Sequence, residues 1–173
     1  MQTRLEHINL LLMDVDGVLT DGTLAYTDNQ TETKVFHARD GLGIRMLHKN
    51  NIRTGVVTGR ASPALLRRCR ELGIKLVFDN VADKGSVLGP ILQQTGCRVS
   101  EVAFIGDDLP DLPLFSKVAL SIAVADAHEL VRRQADIITQ QTGGHGAVRE
   151  ICEMILQSKG LWQDQLNQWI ITH

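Results

Sequence analysis

The stretch Ile8-Asn9-Leu10-Leu11-Leu12-Met13-Asp14-Val15-Asp16-Gly17-Val18-Leu19-Thr20-Asp21-Gly22 sets two carboxylates, one residue apart, at the end of an apolar run. Ile8 to Met13 reads as a buried strand with Asn9 as its only polar member. Strands of this kind carry their C-terminal ends to the crevice where open α/β sheets bind ligands. Side chains at i and i+2 of an extended chain point the same way, so Asp14 and Asp16 are expected to face one point. Two like charges that close repel unless a proton or a cation lies between them, and a divalent metal is the simplest remedy.

Downstream, Gly22 to Thr27 and Glu32 to His37 are β-prone runs on either side of Asp28-Asn29-Gln30, which predicts a hairpin. A helix is expected from Gly41 to Asn50-Asn51, with Ile44, Met46 and Leu47 on its buried side, and then a strand at Thr54 to Val57. Ser62-Pro63 opens the next helix and Gly73 closes it, followed by a strand at Leu76 to Phe78. A further helix runs from near Asp83 towards Gly96, where Gly89-Pro90 predicts a kink or a late start. Val102 to Ile105 is a strand, Pro110 to Phe115 a short helix, Val118 to Ile122 a strand, Ala127 to Arg133 a helix and Ile137-Ile138 a last strand. Helix and tail fill 146–173. This alternation predicts one α/β domain over 1–173: a doubly wound, Rossmann-like parallel sheet with helices on both faces, and a hairpin flap at about 22–37.

The 173 residues suffice to bury roughly two-thirds of the unfolded surface without covalent help. Eighteen basic against 20 acidic residues give a net charge of -2, with no footprint for nucleic acid or an acidic membrane surface. Cys69, Cys97 and Cys152 form neither a disulfide framework nor a zinc pattern. The polar start Met1 to His7 does not read as a signal peptide, and no run approaches a membrane span, so a cytoplasmic protein is expected.

Four strand ends then present polar groups on one sheet edge: Asp14 with Asp16, Thr58-Gly59-Arg60, Lys84, and Gly106-Asp107-Asp108 with Asp111. Each has a plainer reading alone. Asp108 suits an N-cap before Pro110, Thr58 a turn, and Arg60 a solvated loop. Lys84 is harder to dismiss, because a cation in the first turn of a helix opposes the macrodipole and calls for an anionic partner. Together the groups suit phosphoryl transfer. A hard-oxygen cluster of Asp14, Asp107 and Asp108 selects magnesium, and a carboxylate can serve as nucleophile through an aspartyl-phosphate. Lys84 offsets the charge between the two anions, while Thr58 and nearby backbone N–H groups suit the equatorial oxygens.

In this order the residues resemble the haloacid dehalogenase-like phosphohydrolase superfamily, with D-x-D at Asp14-Val15-Asp16, then Thr58, Lys84 and Asp107-Asp108. The resemblance implies Asp14 as nucleophile and Asp16 as general acid and base. It implies Mg²⁺ held by Asp14, the backbone carbonyl of Asp16, and Asp107, with Asp108 and Asp111 behind them. Asp40-Gly41-Leu42-Gly43-Ile44, Thr58-Gly59-Arg60 and Gly143-Gly144-His145-Gly146-Ala147-Val148-Arg149-Glu150 further resemble the branch without a cap domain that acts on sugar-acid phosphates. The region between Gly22 and His37 is too short for a cap. The branch implies an eight-carbon substrate, or a nine-carbon acid phosphate as alternative, and Arg60 with Gly59 at the sugar-acid end. It also implies a homotetramer in which hairpin and tail approach a neighbour's site, where His145 could contact substrate. A phosphoacceptor signalling domain is the alternative of another class, and it has no counterpart of Asp16. Gly89-Pro90 and the tail from Gly160, with Trp162 and Trp169, lie outside the motifs.

Overall fold

The computed structural model describes residues 2–28 and 32–168. Its main sheet has six parallel strands: β1 Leu10–Met13, β4 Arg53–Val57, β5 Leu76–Phe78, β6 Val102–Gly106, β7 Leu120–Ala123 and β8 Ile137–Ile138, in the order β5-β4-β1-β6-β7-β8. The two central strands, β1 and β6, are apolar and buried along their whole length, as a sheet covered on both faces requires.

The helices are α1 Gln2–Leu5, α2 Ala38–Lys49, α3 Pro63–Leu72, α4 Leu88–Thr95, α5 Leu112–Phe115, α6 Glu129–Gln134, α7 Ala147–Ser158 and α8 Trp162–Asn167. From β1 the chain steps outward through α2 and α3 to β4 and β5, then returns past β1 through α4 to β6 and on to β8. Right-handed crossovers in opposite directions put the two helix groups on opposite faces. The contacts agree: α2 packs on α3 and α7, and α5 packs on α6.

Local differences from the expected elements have physical causes. β1 begins at Leu10, two residues late, and α2 begins at Ala38, before Gly41, with His37 as N-cap. The interruption at Gly89-Pro90 is a late start: Asp83 caps a 3₁₀ turn at Lys84–Val87, its carboxylate accepting from the Gly85 amide at 2.9 Å. α4 then begins at Leu88, so Pro90 sits in a first turn where its missing N–H costs nothing. Pro110 lies in a second 3₁₀ turn, Leu109–Asp111, and α5 starts only at Leu112. α6 starts at Glu129 because His128 is its cap, with Nδ1 accepting from the Leu130 amide at 3.1 Å. β7 is displaced by two residues from its expected start at Val118.

The hairpin is present but short: β2 Ala25–Tyr26 pairs antiparallel with β3 Glu32–Thr33, and Asn29 and Gln30 of its expected turn lie outside the described residues. Nothing larger stands between β1 and α2, so no cap domain is inserted there. In the tail, Trp162 opens α8 and lies under the Arg149 guanidinium, 5.6 Å from the ring centre, while Trp169 lies outside the described residues. No helix among the described residues is long and apolar enough to cross a membrane.

Candidate active site

β1 stands between β4 and β6, where the winding direction reverses, and the three adjacent strand ends converge there. Asp14 follows β1, Thr58 follows β4 and Asp107 follows β6. The 3₁₀ turn after β5 brings Lys84. A cleft of about 260 Å³ at this edge is lined by every expected residue, Asp14, Asp16, Thr58, Gly59, Arg60, Lys84, Asp107, Asp108 and Asp111, with Val81 and Pro110. Three larger cavities, about 390, 620 and 790 Å³, gather no comparable set of acids around a buried cation.

Lys84 is the cation at the floor. Its Nζ lies 2.7 Å from Asp14 Oδ1 and 2.6 Å from Asp111 Oδ1, and all three side chains are buried. The anionic partner that its place in a first turn demands is therefore two carboxylates. Asp111 is fully engaged, because its Oδ2 also accepts from the amides of Asp107 at 2.8 Å and Asp108 at 3.2 Å. That bracing fixes the turn after β6 and aims Asp107 into the cleft. Asp108 takes the N-cap position of this turn, and Asp111 closes the capping box.

Asp14, Asp107 and Asp111 each offer an oxygen within 4.8 Å of the others. Three carboxylates around one ammonium leave an excess of negative charge. Burial, then Asp111, pushes the Asp14 carboxyl up to about 6 despite Lys84, and burial, then Asp14 and Asp111, pushes Asp107 up to about 8. Burial pulls the Lys84 ammonium down, but Asp14 and Asp111 outweigh it and its proton is held more firmly than usual. Asp107 Oδ1 is buried without a hydrogen-bond partner. An orphaned oxygen in an over-acidic oxygen cluster fits a hard divalent cation.

Asp16 is balanced differently from the expectation. β1 ends at Met13 and residues 15–18 turn, so the alternation rule of an extended strand does not reach Asp16. Its carboxylate pairs with Lys34 of the hairpin segment and lies 3.7 Å from Arg60 Nε, and it is absent from the carboxylate cluster, where Asp111 stands instead. Lys34 also meets Glu32 at 2.8 Å, and its side chain is nearly fully buried. Arg60 Nη2 is 3.3 Å from both Glu32 Oε2 and the Tyr26 hydroxyl oxygen. Thr58 is buried, and its hydroxyl accepts from the Arg60 amide at 3.3 Å.

Gly17 shapes the turn. It has φ of 93°, and a Cβ there would overlap the Asp107 carboxylate. Only glycine supplies that conformation at no steric cost while letting the two backbones close up.

A protein of Haemophilus influenzae, 3-deoxy-D-manno-octulosonate 8-phosphate phosphatase KdsC, is 46% identical over 160 residues, 92% of this chain and 89% of the relative. The chain belongs to the 3-deoxy-D-manno-octulosonate 8-phosphate phosphatase family. The phosphatase of Escherichia coli K12 is 41% identical over 95% of this chain and 88% of its own. The crystal structure of the Moraxella catarrhalis phosphatase, in complex with magnesium ion, phosphate ion and KDO, superposes with a TM-score of 0.95 at 39% identity, covering 98% of this chain and 97% of that one. A family model for haloacid dehalogenase-like hydrolases matches residues 76–151.

Within this phosphatase chain, sequence reasoning missed Lys34, Glu32 and Tyr26. Lys34 stood among β-prone residues as an ordinary strand lysine, and its one signal was that Asp16 needed a cation. His37, His48, His128 and His145 are absent from the carboxylate cluster, and His48 Nε2 and Thr54 Oγ1 lie 2.7 Å apart near the opposite edge of the sheet.

Proposed function

We propose that this protein hydrolyses 3-deoxy-D-manno-octulosonate 8-phosphate to the free sugar acid and phosphate. The observation that carries the reading is the Moraxella catarrhalis phosphatase bound to magnesium, phosphate and KDO, a structure alike over 98% of this chain. The geometry supports the same chemistry. Asp14 attacks phosphorus in line, forming an aspartyl-phosphate as the ester P–O bond breaks. Lys84 keeps Asp14 oriented and screens it from the incoming dianion, and Thr58 donates to a phosphoryl oxygen. Asp16 gives a proton to the leaving sugar oxygen, then takes one from the water that attacks phosphorus and frees Asp14.

Asp14, Asp107 and the backbone carbonyl of Asp16 would hold Mg²⁺, with Asp108 and Asp111 orienting them. When bound, the ion supplies neutralisation of the phosphoryl oxygens and Lewis-acid assistance. Arg60 meets the sugar-acid carboxylate as a bidentate donor. A substrate carboxylate that draws Arg60 from Asp16 and Glu32 leaves Asp16 paired with Lys34.

We place the protein in the cytoplasm as a homotetramer. Tyr26 and Val35 on the hairpin are 63% and 75% exposed, an apolar surface suited to a neighbouring subunit. Sedimentation should give four chains per particle, and a monomer would remove the assembly.

The test is mass spectrometry of Asp16→Ala after mixing with substrate and Mg²⁺. Phosphate retained on Asp14 is expected, since the base for the second step is gone. An unmodified protein that still turns over would exclude this route.

A further inference from the structure

Two sequence motifs take no part in the chemistry above: Asp40-Gly41-Leu42-Gly43 in the first turns of α2, and Gly143 to Glu150 around the start of α7. The fold joins them. Gly146, the N-cap residue of α7, has no side chain to satisfy the free amides of the first turn. Asp40 of α2 supplies the missing acceptor: its Oδ1 receives the Arg149 amide at 2.8 Å, 109 positions away in sequence. Its carboxylate is 2% exposed and sits where a helix dipole favours negative charge. Burial pushes its carboxyl up, against the opposing pull of the Arg149 amide, His37 and the Gly146 amide. Oδ2 makes no hydrogen bond and lies 4.0 Å from His37 Nδ1. Gly43 permits the approach, since a Cβ there would stand 3.1 Å from both Cys152 Cβ and Arg149 Cδ.

The capped end of α7 holds the loop that backs the catalytic turn. Glu150 accepts from the amides of Gln140 and Gln141 at 2.9–3.0 Å. The Gly144 amide donates to the Val18 carbonyl at 2.9 Å, and Gly143 lies so close to the Gly17 carbonyl that no side chain could stand there. Gly17 itself lies against the Asp107 carboxylate. A single glycine thus separates the tail loop from the acid cluster.

We infer that Asp40 is a positioning residue for the active site: by capping α7 from another helix, it seats the Gly143–Gly146 loop against Gly17 and so fixes Asp16 and Asp107. This rests on the reading of those two acids as parts of the reacting site. The route is a contiguous set of backbone contacts, and a small shift of reacting groups is enough to cost rate.

The test compares Asp40→Ala and Asp40→Asn with Ile155→Val, a core change further along α7 that leaves the cap intact. Deuterium exchange and phosphate release are measured on each folded protein below its melting temperature. In Asp40→Ala, exchange is expected to rise in both 143–149 and 15–21, and kcat to fall about tenfold with KM within about twofold. Asp40→Asn, which keeps the acceptor oxygen, should restore most of both. Ile155→Val should leave exchange at 15–21 and kcat unchanged. Exchange that rises at 143–149 alone, or kcat loss no greater than in Ile155→Val, overturns the inference. Should the wild type release no phosphate from the eight-carbon substrate, the functional reading fails while the exchange comparison still decides the role of Asp40. Should Asp40→Ala not fold, Asp40→Ser, whose shorter side chain ends before the Arg149 amide, takes its place against Ile155→Val and is read in the same way.

Discussion

Lys84 and Asp14 come from strands that are not neighbours, β5 and β1, yet their charged atoms lie 2.7 Å apart in a buried cleft. The pair is stable because Asp111 closes the other side of the ammonium at 2.6 Å. Lys84→Met removes the cation held between two buried carboxylates. A loss in kcat of about 10²–10³ is expected, as for removal of one preorganised charge. Steady-state kinetics on the folded variant check it, and unchanged kcat would exclude Lys84 from the reaction.

Asp14 and Asp107 are acids whose carboxyls are pushed up to about 6 and about 8. Between about pH 4 and 8 these two acids therefore bind more protons in the folded protein than in the unfolded chain, and their contribution to stability falls as pH rises. The contribution is full below the ordinary carboxylate range and lost through the raised values. Melting temperature in EDTA should decline from pH 5 to 8.5. Mg²⁺ favours the ionised acids, so it should reverse the decline, with about 2.7 kcal/mol of stabilisation at a hundredfold excess over Kd. A metal-free melting temperature that rises over this range would contradict the cluster.

Gly17→Ala should be more damaging than its size suggests. The backbone there has φ of 93°, and the new methyl would enter the space of the Asp107 carboxylate. A drop in Mg²⁺ affinity of about 10–100-fold is expected, with phosphate release falling in parallel. Calorimetric titration of Mg²⁺ measures it, and wild-type affinity would show that the turn has room to adjust.

Arg60 carries the specificity prediction. Its side chain is 42% exposed and its guanidinium meets Glu32, Asp16 and Tyr26, so it is poised at the mouth and free to change partner. Arg60→Ala should raise KM for the sugar-acid phosphate by about 10–100-fold and much less for a simple phosphate ester. Equal effects on both would remove Arg60 from the carboxylate.

Much of the fold could be read from apolar runs alone. Leu10–Met13 and Val102–Gly106 are continuous because both faces of the sheet are covered, and Ser62-Pro63 with Gly73 mark α3 to the residue. Asp14, Thr58, Lys84 and Asp107 were visible because polar groups at strand ends are unusual together. Lys34 was not, since a lysine in a short hairpin is ordinarily solvated and only the folded chain turns it towards Asp16. The weight on Asp111 was also hidden: spacing set it one turn beyond Asp107, but not that its two oxygens would serve Lys84 and two amides at once. Asp40 capping α7 across 109 positions leaves no local trace at all.

The most direct measurement is inorganic phosphate released from 3-deoxy-D-manno-octulosonate 8-phosphate, with and without Mg²⁺, beside a nine-carbon acid phosphate and with Asp14→Asn as control. Strong Mg²⁺-dependent release from the eight-carbon substrate, little from the nine-carbon one and none from Asp14→Asn is the expected result. Comparable release by Asp14→Asn, or preference for the nine-carbon substrate, would contradict the account.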